Sequence, residues 1–112
     1  MKYALLIHED HSHYQDEESW QDIIRRHNEF GQKHGSAIVG GEGLNGPETA
    51  TTLRRNGAET MVHDGPFAEA REQLGGFYLV DVPSLDEAMS IAKDIPLAGE
   101  GSIEIRPCIG ED

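Results

Sequence analysis

An α+β fold, a ferredoxin-like split βαβ pattern with an inserted β-hairpin, is what this 112-residue chain predicts. Three observations carry that reading. Two segments show helical spacing of apolar residues, and extended runs bracket each of them. Between them, Asn56-Gly57 separates two extended runs, which is a hairpin signal. The resulting order is strand, helix, strand, hairpin, strand, helix, strand, and the length suits a single domain over residues 1–112.

Tyr3 to His8 reads as a short buried strand, followed by a polar stretch to Gln15. Asp16, Glu17 and Glu18 suit a helix N-terminus, where the dipole favours anions. Trp20, Ile23, Ile24 and Phe30 follow at helical spacing, and Lys33, His34 and a left-handed cap at Gly35 close helix one at about 16–34. Ala37 to Val39 begin a strand that frays into Gly40-Gly41-Glu42-Gly43-Leu44. Thr49 to Arg55 and Ala58 to His63 form the hairpin arms, with a type I′ turn centred on Asn56-Gly57. Phe67 to Gln73 suits one or two helical turns ended by Gly75-Gly76, and Phe77 to Val82 is the next strand. Ser84 with Glu87 forms a capping box for helix two, whose apolar stripe is Ala88, Ile91, Ala92 and Ile95 before Pro96 ends it. Ser102 to Arg106 alternates, with Ile103 and Ile105 on one face and Glu104 and Arg106 on the other.

Val, Ile, Leu and Phe supply 24 of the 112 residues, so the core is thin. Helices on one face leave the other face of the sheet bare, which predicts a homodimer formed through the sheet. The net charge of −12 excludes nucleic acid, which needs a basic stripe, and an anionic membrane surface. No apolar run spans a bilayer, and the apolar stretch after Lys2 is too short for a signal peptide. The single Cys108 rules out an intrachain disulfide and a CxxC pair, so a cytoplasmic protein is expected.

The run Asp64-Gly65-Pro66-Phe67-Ala68-Glu69-Ala70-Arg71-Glu72 resembles the signature of the DGPF branch of the YCII-related family. Lys2-Tyr3 with Leu5-Leu6-Ile7, Gly40-Gly41 with Leu44, Thr51-Thr52 with Arg54, Gly75-Gly76-Phe77-Tyr78 and Gly101 to Pro107 extend the resemblance over nearly the whole chain. It implies a ferredoxin-like subunit that pairs sheet to sheet into a dimeric α/β barrel. It also implies small-molecule chemistry in part of the family, with a His in helix one as a member of a His–Asp pair. The His-rich stretch His8 to His13 departs from that pattern, and His8 stands where an aromatic is expected.

His27 lies seven residues after Trp20 and three before Phe30, on the apolar stripe of helix one. There it is either a general acid or base, or a core histidine bonded to a backbone carbonyl. Asp64 either orients that histidine or acts as an acid, or it simply caps a tight turn. Arg106 can hold an anionic group or pair with Glu104, and Glu69 and Arg71 complete the substrate-binding candidates. The segment from Asp64 to Glu72 is expected to border the main cavity. His8, Asp10, His11 and His13 offer metal-type ligands on what reads as a solvated loop, and neither a metal nor another cofactor is expected. The Gly40–Gly43 run lacks the Lys and the following helix of a phosphate loop and reads as close backbone packing. Two functions fit these residues. One is an enzyme performing proton transfer or elimination on a small molecule; the other is a non-catalytic dimeric ligand-binding or regulatory module.

Overall fold

A computed structural model describes residues 1–110. In chain order the elements are β1 (Lys2–Glu9), α1 (Glu17–His34), β2 (Ile38–Gly43), β3 (Thr51–Asn56), β4 (Glu59–Asp64), β5 (Gln73–Asp81), α2 (Leu85–Lys93) and β6 (Gly101–Pro107). Short 3₁₀ turns occupy His11–Tyr14 and Pro47–Thr49. Four strands pair antiparallel in the order β2-β5-β1-β6, while β3 and β4 form a separate two-stranded hairpin. This is the ferredoxin-like order that the element sequence predicts, with the hairpin inserted between β2 and β5.

Both helices start on side-chain caps. Asp16 accepts from the Ser19 amide at 2.7 Å, and Ser84 accepts from the Glu87 amide at 3.3 Å. Alternation in β1 sends Tyr3, Leu5 and Ile7 to the helix side, where they cluster with Val80, Phe30, Ala88, Ile91 and Ala92. Ile103 and Ile105 pack against that core, and Glu104 and Arg106 are exposed on the opposite face, as the β6 alternation predicts. On that second face Ala4 lies across from Leu79 and Leu6 from Phe77, and none of the four belongs to the core beneath the helices.

Several local expectations are corrected. The hairpin loop is Gly57-Ala58, because Asn56 already pairs with Glu59. Gly57 has φ 63° and Ala58 has no positive φ, so a II′-type turn with glycine first replaces the I′ turn. Phe67 to Gln73 is not helical; the Gln73 amide instead donates to the Ala68 and Ala70 carbonyls, each at 2.8 Å, and holds the segment as a series of bends. Arg54 sits over the Phe67 ring at 5.2 Å and donates to its carbonyl. Gly75-Gly76 does not end an element but lies inside β5, and the glycines at 40, 41 and 43 belong to β2 rather than to a frayed loop. Gly35 is right-handed, with φ −56° and ψ −31°. Its reason is space: a Cβ there would lie 2.8 Å from the Gly31 carbonyl oxygen.

Candidate functional site

The apolar stripe of α1 does not seal. Trp20, Ile23, Ile24 and His27 stand at i, i+3, i+4 and i+7, and together they roof a cavity of about 390 Å³. Its floor is the region where β1 ends and β5 begins, with Ile7, Glu9 and residues 75–78, closed at the sides by Gly41 to Asn45 and by His11 and Tyr14. Glycines make this floor low. Gly41 has φ 144°, and a Cβ there would collide with the Phe77 carbonyl oxygen. That close approach supports the packing reading of the Gly40–Gly43 run.

A β-bulge shapes the floor further. Ile7 pairs with Gly76 but His8 pairs with Leu74, so Gly75 is the extra residue of β5. A Cβ on Gly75 would collide with Oε2 of Glu9, so the bulge glycine makes room for that carboxylate. Glu9 continues the inward alternation of Tyr3, Leu5 and Ile7 and is only 8% exposed. The Tyr14 hydroxyl donates to its Oε1 at 2.5 Å, and the Ala98 amide donates to the Tyr14 oxygen at 3.1 Å. Burial, followed by the bond to Glu9, pushes the Tyr14 phenol up to about 12.

His27 is held by Tyr78, which reaches it from β5. Nδ1 lies 2.7 Å from the Tyr78 hydroxyl, and the two rings stack at 5.9 Å between centroids. Burial lowers the imidazole pKa, with the Arg26 charge adding to the effect, and burial raises the Tyr78 phenol. Both shifts favour the uncharged pair. Either the phenol donates to Nδ1 and Nε2–H is a donor, or Nδ1–H donates to the phenol and Nε2 is a base. A neutral, oriented imidazole can therefore accept or relay a proton in this cavity.

The sequence singled out His27, and the structure puts it on the cavity wall with Tyr78 as its bonded partner rather than Asp64 or a backbone carbonyl. Asp64 is exposed at the end of β4, and Glu69 and Arg71 are exposed in the bends that follow. No residue from Asp64 to Glu72 lines the cavity, which corrects the expected border; the hairpin carries that segment on a separate sheet. Glu104 and Arg106 lie 3.9 Å apart on the open sheet face, where His8 Nε2 is 3.3 Å from Glu104. The His-rich stretch diverges. His8 meets Glu104, Asp10 caps the 3₁₀ turn through the Ser12 amide, and His11 lines the cavity. Among the described residues, no three His, Cys, Asp or Glu side chains converge as a metal site requires. No helix among those residues is long and apolar enough to cross a membrane.

Glu9, Tyr14 and Tyr78 are the residues that sequence reasoning missed. A signal existed for Glu9: it sits two residues beyond Ile7, in phase with three buried positions of β1. Tyr78 stands in phase with Val80 in the same way. Tyr14 had no local signal, since its position depends on the 3₁₀ turn.

Among curated proteins, the chain is 57% identical over 60 residues to "Uncharacterized protein R00369" of Rhizobium meliloti (strain 1021). That stretch covers 52% of this chain and 48% of the relative, so it spans about half the length of the protein it matches. The YCII-related domain family matches residues 1–110, almost the whole sequence and all of the fold described above. The chain belongs to the YCII-related domain family.

Proposed function

We propose that the cavity under α1 is a small-molecule site for acid/base chemistry, proton transfer or elimination, with His27 as the proton-accepting group and Tyr78 as the residue that orients it. The observation that carries this reading is an imidazole fixed by a 2.7 Å bond on the wall of a mostly apolar cavity. Desolvation there lowers the ring's pKa and so favours the unprotonated form that a base needs. Asp64 has no part in the pair within one chain. Glu69, Arg71, Glu104 and Arg106 lie outside the cavity lining and receive no substrate contact in this reading.

Two copies would pack through the open sheet face, burying Ala4, Leu6, Phe77 and Leu79 against their counterparts and placing Glu104 and Arg106 at the interface. This half-buried apolar strip lies outside the core under the helices, which supports the pairing, and a stable pair should bury at least roughly 1,000 Å² in total. Sedimentation at micromolar concentration tests it: a dimer is expected, and a monomer contradicts it. The open face also suits a second reading, a non-catalytic dimeric binding module in which His27 is only a contact.

Proton exchange separates the two readings. Small enolisable cyclic ketones incubated with the protein in D₂O should gain deuterium at the α-carbon, followed by NMR. His27→Gln should remove the acceleration while leaving the fold intact by circular dichroism. Equal exchange with both proteins, or none with either, counts against the catalytic reading and leaves the binding one.

A further inference from the structure

We propose that the cavity takes a small organic cation, an ammonium group on an apolar or aromatic body, and that Glu9 is its anionic partner. This rests on the cavity being a ligand site, not on its being catalytic.

Glu9 is the starting point. The residue is 8% exposed, and among the described residues it has one side-chain hydrogen-bond partner, Tyr14, and no Lys, Arg or His within salt-bridge distance. Taking a carboxylate out of water without a counter-ion is costly. The chain nevertheless builds this arrangement in detail. The Gly75 bulge clears space beside Oε2, and the Ala98 amide fixes the Tyr14 hydroxyl that binds Oε1. Oε2 has no protein donor among the described residues, and Glu9 belongs to the cavity lining.

The surroundings suit a cation. Tyr14 and Trp20 meet edge to face at 6.3 Å beside Glu9, and Tyr78 lines the far wall. Aromatic faces beside a carboxylate are an environment in which ammonium groups are held. No lysine or arginine lines the cavity, so an anionic group would find no permanently charged partner there. Ile7, Ile23, Ile24 and Leu44 leave apolar wall for the rest of the molecule. An occupant anchored at Glu9 would extend beneath α1 towards His27.

Three probes of one shape test this: benzylamine (protonated at pH 7), benzyl alcohol and benzoate. Trp20 is the single tryptophan and lines the cavity, so its fluorescence reports occupancy. Benzylamine should bind about tenfold more tightly than benzyl alcohol, the scale of a hydrogen bond to a charged group, and benzoate should bind most weakly. Glu9→Gln should erase the preference for the amine while leaving the alcohol unchanged. Glu42→Gln, which removes the other acidic residue of the lining, should keep it. Equal binding of the three probes by the unaltered protein overturns the inference and leaves the cavity reading standing, and this comparison needs no variant to fold. A preference that survives Glu9→Gln, or vanishes in Glu42→Gln, overturns the assignment to Glu9. No response to any probe overturns both the inference and the cavity as a ligand site.

Discussion

The two helices begin alike and end differently. Each is capped by a side chain, each packs on the same sheet face, and each carries a stripe at i, i+3, i+4 and i+7. In α2 that stripe is Ala88, Ile91, Ala92 and, just past the helix, Ile95, and all four are buried. In α1 it is Trp20, Ile23, Ile24 and His27, of which only Ile23 is buried. Identical spacing thus gives a sealed core in one half and a cavity in the other. Side-chain volume explains the difference. Two alanines let α2 sit close to β6, whereas a tryptophan and a histidine stand over a floor of glycines at 41, 75 and 76 beneath α1. The period of a stripe says which face turns inward. The volumes on both sides decide whether the space closes.

The largest effect should separate the two halves directly. Leu5→Ala and Ile91→Ala remove buried side chains from the sealed side and should each cost about 2–5 kcal/mol in urea unfolding. Ile24→Ala, on the partly exposed cavity roof, should cost about 1 kcal/mol or less, because the space beneath it is already open. Equal losses at Ile91 and Ile24 would break the comparison.

A smaller effect concerns the bond across the cavity. Tyr78→Phe deletes the hydroxyl bound to His27 and should cost about 0.5–1.5 kcal/mol, with any exchange activity falling further than stability does. Activity that survives unchanged would remove Tyr78 as the orienting group.

The pH dependence sharpens the same point. The folded His27 pKa lies below its ordinary value of 6.5. Below about pH 6.5 the unfolded chain therefore binds a proton that the folded chain does not. Stability contributed by neutral His27 is full above the unfolded pKa and is lost as pH falls through the folded one. Urea midpoints should decline in that window for the unaltered protein and decline less for His27→Gln. Parallel curves would contradict the shift.

The smallest effect is on the outer face of α1. Arg25 pairs with Asp22 at 2.6 Å and Glu29 at 2.7 Å, all exposed. Arg25→Ala should leave stability almost unchanged, and what change there is should shrink further in high salt.

Much of the fold was legible because it follows from period and capping. The short strand from Tyr3, the alternation in β6, the two helical stripes and the Ser84–Glu87 cap each depend on residues close in sequence. The misreadings lie where distant contacts decide. Gly75-Gly76 looks like a stop signal, but it is a bulge that accommodates Glu9 from another strand. Asn56-Gly57 looks like a I′ turn, but the pairing of Asn56 with Glu59 shifts the loop by one residue. His27 could be found in the site because a polar ring on an apolar stripe is visible locally. Its partner could not, since Tyr78 is 51 residues away and meets it only through the β5–α1 packing. Asp64 stood out through a conspicuous turn motif, and the hairpin carries it away from the cavity.

The most direct test of the account is the titration of the His27 ring by NMR, using imidazole resonances assigned by comparison with His27→Gln. The account predicts a midpoint below 6.5, a neutral ring at pH 7 and a Tyr78-dependent shift at Nδ1 that changes when the cavity is occupied. A ring that titrates at or above 6.5 and is indifferent to Tyr78→Phe and to cavity occupancy would contradict it.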